Sequence, residues 1–98
     1  MKVNAIQLDQ NDNVVTCINK ISQGETVIYQ FQKKFFTVVA NEEIPAWHKI
    51  AIQDISLGAD VIKYGESIGI AQNNLLKGSW VYHLNVSSVP RSYEEELV

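Results

Sequence analysis

The sequence predicts a single domain of the mostly-β class, built from short strands and tight turns. Its 98 residues are few enough for one domain, and 46% of them are hydrophobic and 19% charged, as in globular proteins. Segments rich in Val, Ile, Tyr, Phe and Trp recur along the chain, each bounded by Asn, Asp, Gly or Pro. No long segment combines helix caps with an apolar period of about 3.6 residues. These observations favour strands over helices.

Eight strands are predicted, and each is justified by a β-branched or aromatic run between turn residues. The fifth follows Ile44-Pro45, which marks a strand entry, and the sixth ends at Gly65. The isoleucines near the fifth strand could start a helical turn, but Gly58 would end it. In order, the predicted strands are 3–8, 13–18, 25–31, 34–40, 48–52, 60–64, 67–71 and 80–85.

One turn pattern occurs three times. In ISQGETV (21–27), ISLGADV (55–61) and LLKGSWV (75–81), an apolar residue is followed three positions later by Gly and three later again by Val. Glycine supplies a positive φ at such a bend, the first apolar residue anchors the bend in the core, and Val starts the next strand. The unequal spacing excludes a solenoid and predicts a compact sheet that folds over on itself.

The last part of the chain differs in composition from the rest. SSVPRSYEEELV contains Ser and Pro and then three glutamates, which is typical of a linker or a docking arm. We therefore predict a β domain over residues 1–86 and a C-terminal arm over residues 87–98.

Charge and composition exclude several classes of protein. The net charge is −3 and the longest basic run is Lys33-Lys34, so we expect no nucleic-acid binding. No apolar run is long enough to span a membrane and no secretory signal is visible, so we expect a cytoplasmic protein without membrane contact. The single cysteine, Cys17, alternates with Val15 and is expected in the core rather than as a nucleophile.

A few polar side chains stand out against this apolar background. His48 and Lys49 are adjacent in a predicted strand and should point to opposite faces, so only one of them would face a given pocket unless the chain bends. Lys63 and Tyr64 end another strand, and His83 lies in the last one. For each, an ordinary role stays open: an exposed lysine, a packed tyrosine or a half-buried histidine. No metal-binding, phosphate-loop or nucleophile-elbow motif is present in the sequence.

The stretch 44–85 resembles the SAF domain of altronate and galactarate dehydratases, which is also a separate small subunit in some altronate dehydratases and in sulfolactate sulfo-lyase. The resemblance rests on HKIA (48–51) and VIKYG (61–65), and Asp12-Asn13-Val14-Val15 and Gly24-Glu25 fit the front of the family pattern. It covers about residues 9–86. Further positions match in order and without a gap: Ile44-Pro45, Asp54-Ile55, Gly58, Ile68-Gly69 and Ala71.

This resemblance implies a β-clip fold and a role in a hydro-lyase that acts on sugar acids with a divalent metal. It implies a larger catalytic subunit that holds most of the site, Fe²⁺ in the complete enzyme, and no cofactor on the isolated chain. A homo-oligomer formed through exposed strand edges is a further expectation. The metal ligands are unknown. The candidate catalytic residues are His48, Lys49 and Lys63, and the candidate substrate-binding residues are Tyr64, His83 and Asn85.

The chain departs from the family pattern at two places. Trp47 replaces the glycine before His-Lys, so we expect the backbone freedom of that position to be lost and a large ring to occupy the site. The closing His-x-His-Asn becomes Tyr82-His83-Leu84-Asn85, which puts the histidine on the opposite face of a strand. These departures leave a second hypothesis open, a SAF module that binds a carbohydrate or a protein without turnover.

Overall fold

The computed structural model describes residues 2–88, which form nine β-strands joined by turns. Within this range no helix occurs, so the prediction of a mostly-β fold is confirmed. In chain order the strands are β1 (Ala5–Ile6), β2 (Val14–Cys17), β3 (Thr26–Phe31), β4 (Lys34–Val39), β5 (Lys49–Ala51), β6 (Asp60–Lys63), β7 (Glu66–Ala71), β8 (Trp80–Val81) and β9 (Val86–Ser87).

Each of the eight predicted strands is present, but the first and the last are much shorter than expected, with 2 residues each in β1 and β8. β8 ends at Val81, and the chain turns over residues 83–85 before β9 begins. β9 was not predicted, and it pairs Ser87 with Ile70 of β7, so the described sheet includes the first residue of the predicted arm. The rest of that arm, from residue 89 on, lies outside the described residues.

The strands form two sheets. The larger has the order β4-β3-β1-β2-β5-β8, with β1 parallel to β3 and every other neighbour antiparallel. The smaller has the order β6-β7-β9. The short strand β5 lies between β2 and β8, so its residues face neighbours on both sides.

An eleven-residue unit accounts for most of this architecture and occurs four times, at 17–27, 40–50, 51–61 and 71–81. We number the units one to four in chain order. The first, third and fourth include the pattern seen in the sequence, and the second, 40–50, has Trp47 in place of the turn glycine. The first, fifth and eleventh residues of every unit are buried. These residues are Cys17, Ile21 and Val27; Ala40, Ile44 and Ile50; Ala51, Ile55 and Val61; and Ala71, Leu75 and Val81.

The units associate in two pairs through backbone hydrogen bonds. In the first pair Ile21 and Ile44 exchange both of their N–H···O bonds, at 2.8 and 2.9 Å. In the second pair Ile55 and Leu75 do the same, at 2.7 and 2.8 Å. The β3–β4 hairpin connects the two units of the first pair, and the β6–β7 hairpin connects the two units of the second pair. The domain is therefore built of two halves, 17–50 and 51–81, each arranged as unit, hairpin, unit.

Two apolar clusters form the core, one for each pair of units. Ile21, Ile44 and Ile50 belong to the first cluster, and Ile55 and Leu75 to the second. The adjacent residues Ile50 and Ala51 of β5 contribute to different clusters, because successive side chains of a strand point to opposite faces. Strands β2 and β5 thus lie between the two clusters and contribute side chains to both. Among the described residues there is no helix with the length and hydropathy of a membrane span.

Candidate functional site

The two adjacent candidates, His48 just before β5 and Lys49 at its first position, point to opposite faces of the large sheet, as predicted. Lys49 pairs in register with Thr16 on one side and with Val81 on the other. Val81 belongs to the second apolar cluster, so Lys49 extends over that cluster. His48 precedes β5 and packs against Trp80, which is on the face of the first cluster. The two side chains therefore cannot serve one pocket together.

Lys49 lies within electrostatic range of Lys63, although the two are far apart along the chain. Asn13, at the start of β2, donates its backbone N–H to the Ile62 carbonyl at 3.2 Å, and its side chain bridges Asp60 and Ile62. These bonds hold β6 against β2, and Lys63 follows Ile62 directly. The cations at positions 49 and 63 thus lie on one side of the domain.

The electrostatics of this pair are unfavourable. Burial lowers the pKa of the Lys49 ammonium below its ordinary value of 10.5, and the charge of Lys63 lowers this pKa further. Within residues 2–88 the one ion pair joins Lys20 to Glu43, so neither Lys49 nor Lys63 has a carboxylate partner there. Glu66 is the cross-strand neighbour of Lys63 but forms no ion pair with it, so both half-buried ammonium groups are open to an anion.

Thr16 adds an unsatisfied hydroxyl to the same face. Its Oγ1 is buried and makes no hydrogen bond within the described residues. Because Thr16 is the cross-strand partner of Lys49, their Cβ atoms are neighbours on one face of the sheet. Buried hydroxyls are rarely left without a partner. We refer to Thr16, Lys49 and Lys63 as the cation site. Sequence reasoning missed Thr16, although a Thr at an inward position of VVTC was a visible signal.

Tyr64 forms the tip of the hairpin after Lys63. The Lys63 ammonium lies 5.0 Å from the centre of the Tyr64 ring, a cation–π contact. Tyr64 and Gly65 both have positive φ, and Asp12 holds the tip by accepting the Gly65 N–H at 2.8 Å. The Tyr64 ring itself is largely exposed. Tyr64 therefore borders the cation site as an exposed wall.

The other face of β5 carries a series of rings that begins at His48. The Trp80 indole N–H donates to Nδ1 of His48 at 3.1 Å, which leaves the His48 proton on Nε2. Trp80 stacks on Tyr82 with ring centres 3.8 Å apart, and Tyr82 meets His83 edge-on at 5.6 Å. Trp80 was not among the predicted site residues, yet it orients His48.

The structure places His83 and Asn85 in a turn rather than a strand, which corrects the expected geometry. His83 is exposed at this turn. Asn85 accepts the Tyr82 N–H and donates to the Trp80 carbonyl, at 2.8 and 2.7 Å. Both ends of the Asn85 amide are thus used to bend the backbone after β8. The predicted roles of His83 and Asn85 in substrate binding remain predictions.

The expectation for Trp47 is corrected in one respect. Its φ is +67°, so the residue keeps the left-handed conformation that Gly24, Gly58 and Gly78 adopt in the other three units. The backbone bend is therefore retained at an energetic cost, and its N–H still donates to the Cys17 carbonyl at 2.6 Å. The ring is 69% exposed and does not fill a cavity.

The donors of this chain were tested against the metal that the resemblance implies. Among the residues that the structure describes, no three His, Cys, Asp or Glu side chains are close enough together to hold a metal ion. His48 and His83 are the two histidines of the chain and lie at the two ends of the ring series. The described donors thus do not fit an iron ion by themselves, and Fe²⁺ in the complete enzyme stays a prediction.

The fold and the site define a class: a small all-strand domain whose described residues include two half-buried lysines without an ion-pair partner. The chain belongs to the SAF-domain family of altronate and galactarate dehydratases, because the sequence model of the "Altronate/galactarate dehydratase SAF domain" matches residues 3–89. This family membership confirms the resemblance seen in the sequence.

Several curated proteins are similar to the chain. Altronate dehydratase of Escherichia coli is 34% identical over 82% of this chain, and galactarate dehydratase (L-threo-forming) of the same bacterium is 45% identical over 41% of it. Altronate dehydratase of Bacillus subtilis is 26% identical over 85% of this chain. The matches cover 15%, 8% and 16% of those three proteins, so the chain corresponds to a small part of each.

Proposed function

We propose that the chain is the small domain or subunit of a cytoplasmic hydro-lyase that dehydrates a sugar acid, and that the cation site binds the substrate carboxylate. A larger catalytic partner completes the cleft and holds any Fe²⁺. The relatives that match the chain are named altronate and galactarate dehydratases, which supports a sugar acid as the substrate. The chain matches about a seventh of the length of altronate dehydratase, which leaves the remainder for the partner.

One observation carries this proposal: Lys49 is half-buried beside Thr16, the charge of Lys63 acts on its pKa, and neither lysine forms an ion pair within residues 2–88. Like charges at short range repel, and burial reduces the screening by water. An anion bound beside these ammonium groups would offset the repulsion between them and form charge-assisted hydrogen bonds.

The same arrangement fits the chemistry of dehydration next to a carboxylate. Loss of the proton beside the carboxylate builds negative charge on that group, and fixed cations stabilise this charge where it develops. Lys49 is half-buried on a strand in the middle of a sheet, so its position is defined before the substrate arrives. His48 faces away from the cation site, so its proposed catalytic part would involve a different region of the shared cleft.

The test uses the chain together with its catalytic partner and measures dehydration of D-altronate and galactarate. Lys49→Met and Lys63→Met keep most of the side-chain volume but remove the charge, and each should raise KM at least tenfold. Lys77→Met, at an exposed lysine in another turn, is the matched control and should leave KM unchanged. An unaltered KM in both site variants, or no dehydration by the complete pair with Fe²⁺ present, would refute the proposal.

A second candidate function is a SAF module that binds a carbohydrate or a protein without turnover. The exposed Trp47 ring favours this function. The positive φ of Trp47 costs free energy, and a contact between the ring and a ligand or partner would offset that cost. Calorimetric titration of the isolated chain with sugar acids distinguishes the binding module from the dehydratase subunit, because it measures binding without the partner. Tight binding without the partner, and no turnover with it, would support the module.

A further inference from the structure

Strand β4 leaves one backbone edge open along most of its length. In the described part of the chain it pairs with β3 on one side and has no strand on the other. The remaining sheet edges there are short or covered: β8 and β9 have 2 residues each, and Asn13 holds β6 against β2. β4 has 6 residues, most of them β-branched or aromatic. A long open edge of this kind is a template for a further strand.

The hydrogen-bond pattern shows which backbone groups of β4 face the open edge. Ala40, directly after β4, donates its N–H to the Glu25 carbonyl at 3.0 Å, so the backbone groups of Ala40 point toward β3. The pairing of β3 with β4 has no register shift, and in such a pair the backbone groups of successive residues point to alternate sides. The N–H and C=O groups of Phe35 and Thr37 therefore point outward, away from β3.

Apolar side chains flank the open edge on both faces of the sheet. Phe35 and Val39 project from one face and are 50% and 57% exposed. Phe36 projects from the other face and is 41% exposed, although it stacks on Tyr29. The strand contains no proline, and Lys34 at its start is its one charged residue, so the usual protection of an edge against pairing is weak. This composition indicates that another strand covers the edge.

The geometry of the edge selects one way in which β4 can pair with itself. Gly78 lies so close to the Val39 carbonyl oxygen that an added strand can bond to Phe35 and Thr37 but not to Val39. An antiparallel pair of β4 strands related by a twofold axis at Phe36 joins Phe35 of each copy to Thr37 of the other. All the accessible outward groups are then bonded. Phe36 of one copy faces Phe36 of the other as a non-hydrogen-bonded pair, in which side chains are closest.

The charges at the two ends of the β3–β4 hairpin fit this antiparallel arrangement. The tip carries two lysines beside one aspartate, and the base carries two glutamates beside one lysine, whereas Lys20 and Glu43 neutralise each other. The residues are Lys33, Lys34 and Asp12 at the tip and Glu25, Glu42 and Lys77 at the base. The tip is therefore net positive and the base net negative. Twofold pairing places the tip of each copy toward the base of the other, so opposite charges approach.

We propose that β4 pairs antiparallel with β4 of a second copy of this chain about a twofold axis at Phe36. The product is an isologous dimer in which one sheet runs through both copies. This goes beyond the proposed function, because it requires neither the catalytic partner nor the cation site. Strands β3 and β1 lie between β4 and β2, so the paired edge and the cation site are separate surfaces.

The experiment is analytical ultracentrifugation of the full chain from low micromolar to submillimolar concentration. The wild type should sediment as a dimer at the upper end and dissociate on dilution. Thr37→Pro removes an outward N–H but no bond to β3, since proline is tolerated on the free side of an edge strand. This variant should raise the dimer dissociation constant by about tenfold or more. Thr37→Ala is the matched control, because it keeps the N–H, and it should leave the dimer intact.

A charge swap at Phe36 tests the twofold axis itself. Phe36→Lys and Phe36→Asp each place like charges opposite one another in a homodimer, so each variant alone should be monomeric. An equimolar mixture of the two should form a heterodimer, because opposite charges then face each other. Far-UV circular dichroism and urea midpoints of each variant, including Thr37→Pro, show whether the monomers are folded.

Several outcomes would overturn the β4 dimer. A wild type that stays monomeric over the whole range would do so, even if hydrogen exchange of the Phe35 and Thr37 amides slows with the catalytic partner, which would assign the edge to that partner. A dimer of unchanged affinity in Thr37→Pro would place the interface elsewhere. A monomeric mixture of the folded Phe36 variants would exclude the twofold axis at this residue.

Discussion

At the scale of single residues, Trp47 combines a strained backbone with an exposed side chain. Three of the four units have glycine at this place in the turn, with φ between +84° and +94°. Trp47 adopts the same region at +67°, where a side chain costs about 1–2 kcal/mol. Its ring is 69% exposed and so regains little of that cost by burial. The side chain is therefore expected to contact something outside the domain.

Replacing Trp47 by glycine should not destabilise the domain and should raise its free energy of unfolding by about 0.5–1 kcal/mol. The relief of strain is the cause, and the larger entropy of glycine in the unfolded chain offsets part of it. Urea unfolding followed by far-UV circular dichroism measures the change. Trp47→Ala is the control, because it removes the ring but keeps the strain. A loss of more than about 1 kcal/mol in Trp47→Gly would show that the ring stabilises the fold.

Cys17 illustrates a residue whose chemistry is suppressed by its surroundings. It is fully buried, as predicted for a core residue. Burial raises the pKa of its thiol from 9.0 to about 12, and the charge of Glu25 adds to the shift. Since the thiolate is the reactive form, Cys17 is not suited to act as a nucleophile.

The Cys17 shift predicts a pH dependence of stability. Between pH 9.0 and about 12 the unfolded chain loses the thiol proton while the folded chain keeps it, so the free energy of unfolding falls as pH rises. Urea midpoints of the wild type and of Cys17→Ala, compared at about pH 7 and about pH 10.5, isolate this contribution. The wild type should lose more stability than the variant over that interval. Equal losses would mean that the thiol ionises as readily in the folded chain.

At the scale of elements, the turns differ in how closely they are packed. A Cβ at Gly24 would meet no atom within 4 Å, whereas one at Gly78 would overlap the Val39 carbonyl oxygen. The Gly78 carbonyl also accepts the Asn41 N–H at 2.9 Å. The turn of the fourth unit, 71–81, thus packs against the second unit, 40–50. The turn of the first unit, 17–27, has open space around its glycine.

Alanine at these two glycines should therefore have unequal effects. Both positions have similar positive φ, +84° and +94°, so each substitution carries the same backbone cost of about 1–2 kcal/mol. Gly78→Ala adds a clash with backbone and should lose at least about 1 kcal/mol more than Gly24→Ala. Chemical denaturation of the two variants measures the difference. Equal losses would show that the second and fourth units separate easily.

At the scale of the whole molecule, the two apolar clusters share the central strands β2 and β5. Val14 and Val15 of β2 face different clusters, and so do Ile50 and Ala51 of β5. Neither half can therefore lose its core without exposing a strand that the other half needs. We expect the domain to unfold as one cooperative unit.

Leu75→Ala, in the second cluster, should destabilise the domain by about 2–5 kcal/mol and leave a single unfolding transition. Ile21→Ala, in the first cluster, should behave in the same way. The neighbouring Leu76 is 60% exposed, and Leu76→Ala should change stability by less than about 0.5 kcal/mol. Circular dichroism and tryptophan fluorescence should give coincident curves. A separate early transition in either core variant would mean that the halves fold independently.

The sequence by itself determined the mostly-β class, eight of the nine strands, the core position of Cys17 and the opposite directions of His48 and Lys49. These follow from local physics: β-branched runs, turn residues and a side-chain period of two. It did not determine the end of β8, because Asn85 bends the backbone there through its side chain. Nor did it reveal the second unit, 40–50, since Trp47 occupies the glycine position there.

Only the tertiary structure decided which polar side chains meet. Lys49 and Lys63 are brought together because Asn13 fastens β6 to β2, and Thr16 joins them through strand register. Such convergence depends on contacts between residues distant in sequence, whereas strand and turn preferences depend on neighbours along the chain.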